Sequence, residues 1–295
     1  MAREPNHFET ANQISSHLCT VDVQQFSTGR LNHEYQTFGN LASAKRAIVA
    51  FHGFGRTAAD FKVFQPLVKN DQVLFAFNLI HHGQSRILQN PDAPITPEEY
   101  AHFLQNFLKH HHLERCHLLG YSLGGKVCMM LVQQCPATIE SWMLIAPDGV
   151  KRNRYYQFAT DTAIGRKLFD SVVENPSVVI RFADWMLRLG IFNEKLHRFI
   201  HLNMENREVR ALVRDVWQSY RAFVPTLKLL QHTVNSQHIP TVLIYGRHDS
   251  VIKLWQGEKL NAGLDRDSLH VLDTGHLLLE PRTISYLDEH DLWFD

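Results

Sequence analysis

The stretch Gly120-Tyr121-Ser122-Leu123-Gly124-Gly125 constrains what this chain can fold into more than any other. It follows an apolar, β-favouring run at 116–119. It opens a run at 123–134 in which Leu123, Val127, Met130 and Leu131 recur at the spacing of one helix face. A serine at so tight a strand-to-helix turn needs small neighbours, and Gly120 and Gly124 supply them. The hydroxyl is then exposed in strained geometry, and the helix start offers a backbone N–H and a positive dipole end to a developing anion. A serine that only caps a helix has no need of glycine on both sides. Ser122 therefore reads as a nucleophile.

The rest of the chain supplies a frame for that turn. Runs at 47–51, 73–79, 142–145, 242–245 and 269–272 read as strands, several apolar on both faces, as in a parallel sheet covered by helices. A helical pattern at 98–111 lies between two of them. Alternation of this kind predicts an α/β fold with a mostly parallel, doubly wound sheet. An antiparallel pair is expected near residues 20–40. After Gly149 the alternation stops, and helical patterns run at 155–170, 177–189, 194–204 and 208–231. The sequence thus divides into a core of residues 1–150 and 238–295, with a helical cap over 151–237 laid on the C-terminal edge of the sheet.

Composition excludes several classes. In 295 residues, 30 Lys and Arg balance 30 Asp and Glu. That gives no basic surface for nucleic acid and no polybasic handle for a membrane. No apolar run reaches the length of a membrane span. Cys19, Cys116, Cys128 and Cys135 lack CxxC spacing, so neither disulfide framework nor thiolate zinc site is expected. With a polar N-terminus lacking a signal-peptide core, the expected location is cytoplasmic.

A nucleophilic serine needs a base, and the base an orienting acid. Among 19 histidines, His276 lies just past the last expected strand, at the sheet edge where Ser122 sits. Asp249, in Gly246-Arg247-His248-Asp249, follows the strand at 242–245 and reaches the same edge. Asp148 is a competing acid, and Asp273 is set aside because it belongs to the strand exit. Within His52-Gly53-Phe54-Gly55 the glycines free the backbone to turn inward. The N–H groups of Phe54 and Leu123 are accordingly the expected oxyanion donors.

On these motifs the chain resembles the α/β-hydrolase superfamily, in its capped serine-hydrolase branch of esterases and C–C bond hydrolases. The blocks are His52–Gly55, His82-Gly83-Gln84-Ser85, Gly120–Gly125, and Gly246–Asp249 with Gly275-His276. The order Ser122, Asp249, His276 matches the family's. Two positions depart from its pattern: Asn78 stands where an Asp is usual, and His81 where a Gly is. The resemblance implies a serine hydrolase without metal or cofactor, acting on a small to medium carboxylic ester or thioester. Acyl transfer, perhydrolysis and C–C cleavage use the same residues, and a slow ligand-binding receptor on the same scaffold is a reading from another class.

Other features carry less. His197 and His201 have i, i+4 spacing but no evident third ligand. His110, His111 and His112 point in different directions on a helix and suit its C-terminal end. Arg152 and Arg154 at the cap entrance read as solvated surface before they read as an anion site. Of the cap aromatics Tyr155, Phe158, Trp185, Trp217, Tyr220 and Phe223, most are expected to pack and a minority to line an apolar pocket.

Overall fold

The computed structural model describes residues 23–151, 154–190, 194 and 206–295. Its centre is a nine-stranded sheet: β1 (Val23–Thr28), β2 (Leu31–Gly39), β3 (Arg46–Phe51), β4 (Gln72–Phe77), β5 (Arg86–Ile87), β6 (Cys116–Tyr121), β7 (Ile139–Ile145), β8 (Thr241–Gly246) and β9 (Leu269–Leu272). The order is β1-β2-β4-β3-β6-β7-β8-β9, with β5 paired to β2. From β4 to β9 every pairing is parallel. The β1–β2 hairpin joins antiparallel at one side. Every residue of β4 and of β6 is buried, because helices cover both faces.

Helix α1 (Pro97–His110) starts at Thr96, whose hydroxyl accepts from Glu99 N while Glu99 returns a bond to Thr96 N. Helix α2 (Leu123–Gln134) is buried from Leu123 through Val132. The last turn of α1 carries the exposed Lys109 and His110, and the ring of the C-cap residue His111 packs against Phe75 and Phe107.

Between β7 and β8 the described chain is helical: α3 (Arg154–Asp161), α4 (Ala163–Glu174), α5 (Ser177–Arg188), α6 (Arg207–Ser219) and α7 (Leu227–Ser236). The pattern read as one helix over 155–170 is two, because Thr162 leaves helical geometry and caps α4 through Gly165 N at 2.9 Å. The run at 208–231 likewise splits around Pro225. The expected helix at 194–204, with His197 and His201, lies outside the described residues, except for Glu194, which is helical. Helix α7 packs on α2, with Leu230 and Val234 inside the main apolar core. Helices α8 (Leu254–Asn261) and α9 (Pro281–Glu289) complete the fold.

The far end of the sheet is closed by Trp293 and Phe294. Trp293 stacks on Phe64 at 5.6 Å and donates from Nε1 to Gln72 Oε1, while Gln72 Nε2 donates to the Phe294 carbonyl at 2.7 Å. Phe294 stacks on His117 at the start of β6. Trp293→Ala is expected to lower stability by about 3–5 kcal/mol in urea titration without altering the opposite edge. A loss below about 1 kcal/mol would remove this plug from the account.

Candidate active site

Ser122 follows β6 directly, with φ 51° and ψ −113°. A non-glycine residue at positive φ is strained, and here the surroundings hold it. Ser122 N donates to Ile145 O at 3.0 Å, Gly124 N to His52 O at 3.0 Å, and Asp148 N to Ser122 O at 2.8 Å. The turn is thus tied to the residue after β3, to β7 and to the loop beyond β7. A Cβ at position 124 would overlap the Phe51 carbonyl, which is why that side of the serine must be glycine.

Asp249 sits on the loop after β8 and uses both oxygens. Oδ1 accepts from Val251 N at 2.7 Å and Ile252 N at 2.8 Å, while Oδ2 accepts from His276 Nδ1 at 2.7 Å. Its carboxylate is fully buried and the His276 imidazole is 21% exposed. Burial alone would raise the carboxyl, but the bonds from His276, Ile252 and Val251 outweigh it and hold Asp249 below its ordinary range. With its Nδ1 proton given to Asp249, His276 keeps an Nε2 lone pair. Tyr121 donates from its hydroxyl to the His276 carbonyl at 2.8 Å, and the two rings lie 5.4 Å apart. No Ser122–His276 hydrogen bond is formed among the described residues. Such contacts commonly tighten only with substrate bound.

The competing acids sit elsewhere. Asp148 faces the cavity over Ser122, and its Oδ1 accepts from Gly149 N. Asp273 lies on the exposed rim, bonded to His248.

The amides of Phe54 and Leu123 meet no acceptor among the described residues. Two buried histidines brace the loop that carries Phe54. His52 donates from Nδ1 to Gly53 O and accepts at Nε2 from Leu79 N. His82 accepts at Nε2 from Gly55 N at 3.0 Å, and its Nδ1 faces Ile80 O. Each ring uses one nitrogen as an acceptor and is therefore neutral. Burial pushes His52 down to about 3 and His82 down to about 4. Neither ring's role is visible in its local sequence. The available signal was their placement inside the two glycine-bearing blocks.

The departures at 78 and 81 have physical reasons. Asn78 donates from Nδ2 to Glu34 Oε1 and accepts at Oδ1 from Ala58 N at 2.7 Å. An aspartate there would set two carboxylates together in a buried site, so Asn fits Glu34. His81 has φ 72°, where glycine is unstrained, and its Nε2 bonds Ser219 Oγ at 2.8 Å. Beside it, Ile80 N donates to Tyr220 Oη at 3.0 Å. These contacts fasten the end of α6 to the loop after β4.

Above Ser122 lies a cavity of about 310 Å³. Its apolar wall includes Phe54, Leu123, Val216, Trp217, Phe223 and Ile252. Its polar side carries Lys126, Asp148, Tyr156, Asp161 and Arg221, and Lys126 Nζ lies 4.7 Å from the centre of the Tyr156 ring. Trp217, Tyr220 and Phe223 thus line the cavity, whereas Phe158 and Trp185 are exposed. The side chains of Arg152, Arg154 and Tyr155 lie outside the described residues. Lys126 was not anticipated, since helical spacing alone gives no sign that it reaches the cavity. Among the described residues no three His, Cys, Asp or Glu side chains converge as a metal site. No described helix is long and apolar enough to cross a membrane.

A parallel sheet in this order, with a strained serine turn at its edge, defines an enzyme of the α/β-hydrolase superfamily. Residues 42–279 match the serine aminopeptidase, S33, family (Hydrolase_4), and the chain belongs to that family. An uncharacterized hydrolase of Bacillus subtilis, YugF, is 21% identical over 277 residues, covering 91% of this chain and 96% of its own. The dihydrolipoyllysine-residue acetyltransferase component of the acetoin cleaving system of Pseudomonas putida is 25% identical over 237 residues, which span 58% of that protein. A thermophilic esterase from Thermogutta terrifontis shares the fold at TM-score 0.63 and 16% identity, with 92% of this chain and 98% of that one covered.

Proposed function

We propose that the protein is a serine hydrolase for small to medium carboxylic esters or thioesters, with Ser122 as nucleophile, His276 as base and Asp249 as orienting acid. The observation that carries this reading is the 2.7 Å bond between His276 Nδ1 and the buried Asp249, formed beside the strained Ser122 turn. Ser122 Oγ attacks the acyl carbon while its proton passes to His276 Nε2. The oxyanion faces the Phe54 and Leu123 amides. The bond to the leaving alkoxide or thiolate breaks as Nε2 returns the proton to it. Water, deprotonated by the same nitrogen, then attacks the acyl-enzyme, and the proton finally returns to Ser122 Oγ. No step needs a metal or organic cofactor.

The stretch over 151–237 serves as the cap in this reading, with its last helix, α7, packed on α2 of the core. A reducing, cytoplasmic location accords with the free, buried thiols of Cys116, Cys128 and Cys135. Acyl transfer is the second reading, favoured by the likeness to the Pseudomonas putida acetyltransferase component. It differs only in which acceptor reaches the acyl-enzyme.

A p-nitrophenyl ester series from acetate to decanoate, run with and without added alcohol, tests both. Turnover of acetate to octanoate esters with a fall for longer chains is expected from a cavity of this size. Ester product formed from the added alcohol in excess over acid would move the assignment to transfer. No turnover of any ester would remove the hydrolase reading.

A further inference from the structure

We propose that Tyr121 is a positioning residue that gauges the distance between the nucleophile and its base; the inference rests on the assignment of Ser122 and His276 above. Tyr121 is the last residue of β6 and is joined through its own peptide bond to Ser122. Its side chain reaches the other partner twice. The hydroxyl donates to the His276 carbonyl at 2.8 Å, and the ring lies tilted against the imidazole, with centroids 5.4 Å apart and planes at 31°. One rigid side chain therefore links the strand that presents the nucleophile to the backbone and the ring of the base.

The same ring supports the loop that carries the Phe54 amide. A Cβ built on Gly53 would stand 3.1 Å from two Tyr121 ring carbons and 3.1 Å from Ser122 Cβ. Nucleophile turn, oxyanion loop and His276 loop thus meet on one buried tyrosine, which is 3% exposed. His276 lies on an irregular segment between β9 and α9, so no helix or strand fixes its backbone. Its imidazole is oriented by Asp249, and its main chain by Tyr121. A phenylalanine would fill the same space equally well. The hydroxyl is what adds a defined direction, because a hydrogen bond weakens steeply with misalignment.

Positioning and packing make different kinetic forecasts. Tyr121→Phe keeps the ring and removes the bond to His276, leaving that carbonyl to water. In a near-attack geometry a displacement of about 1 Å costs on the order of 100-fold in rate. The variant is therefore expected to lose about tenfold or more in kcat. It should lose as much in the rate constant for fluorophosphonate labelling, with KM for the ester held within about twofold because the cavity wall is untouched. Its circular dichroism should match wild type. Equal labelling rates for Tyr121→Phe and wild type would overturn the inference while leaving the Ser122 assignment standing. So would a raised KM with unchanged kcat. Failure of the wild-type enzyme to label would overturn the assignment of Ser122 first and this inference with it.

Discussion

Asp249→Asn is expected to lower kcat by about 10⁴-fold while the protein stays folded. The reason lies in how the carboxylate is used. Oδ1 is claimed by two backbone donors, Val251 N and Ile252 N, at 2.7 and 2.8 Å. In the variant, the amide oxygen takes that position because only it can accept. The NH2 group then faces His276 Nδ1, which must become an acceptor. The ring proton moves to Nε2, the nitrogen needed as base, and the tautomer is wrong for catalysis. Asp148→Asn is expected to stay within a few-fold of wild type, because its carboxylate accepts from Gly149 N and not from the imidazole. Steady-state kinetics on both variants decides the acid. An active Asp249→Asn beside a dead Asp148→Asn would reverse the assignment.

Much of this site was legible because it is written in backbone constraints. Gly120 and Gly124 mark places where a side chain would collide, Gly53 one where it would be tight, and their spacing around a serine and after a strand is visible in the sequence. Strands β3, β4, β6, β7 and β8 were legible for a related reason: burial on both faces leaves largely apolar runs. What escaped was whatever depends on a partner distant in sequence. Nothing local says that His52 and His82 spend an acceptor nitrogen on Leu79 N and Gly55 N. Nor does anything local say that Asn78 answers Glu34, or that His81 tolerates positive φ while tied to Ser219. The helix limits between 154 and 236 were blurred for a different reason. Apolar spacing continues across Thr162, where only the capping hydroxyl marks the break, and across 220–226, where the helix ends at Ser219 and Pro225 lies in the irregular stretch before the next one.

A second large effect concerns acid. His33 is fully buried, with Nδ1 against Asn78 O, and burial pushes it down to about 4. His52 and His82 are pushed down to about 3 and about 4. In the unfolded chain each would protonate near pH 6.5. Between that value and about pH 4 the unfolded state therefore binds more protons than the folded state. Stability then rises with pH across the window and is lost as pH falls. By pH 5 each ring accounts for about 2 kcal/mol of loss. Together the three remove a large part of an ordinary folding free energy. The urea midpoint is expected to fall by about half or more between pH 7 and pH 5. Activity should fall with it only as the folded fraction falls, since His82, pushed down to about 4, stays neutral in the folded protein at pH 5 and keeps accepting from Gly55 N. A midpoint that is flat over this range would show that these rings are not held neutral.

The central claim is that Ser122 is an activated nucleophile, and covalent labelling tests it most directly. Purified protein treated with a fluorophosphonate and read by intact and peptide mass should gain one adduct, on the peptide containing Ser122. The adduct should be missing in Ser122→Ala and strongly slowed in His276→Ala. Labelling of some other residue, or none in folded wild-type protein, would contradict the account.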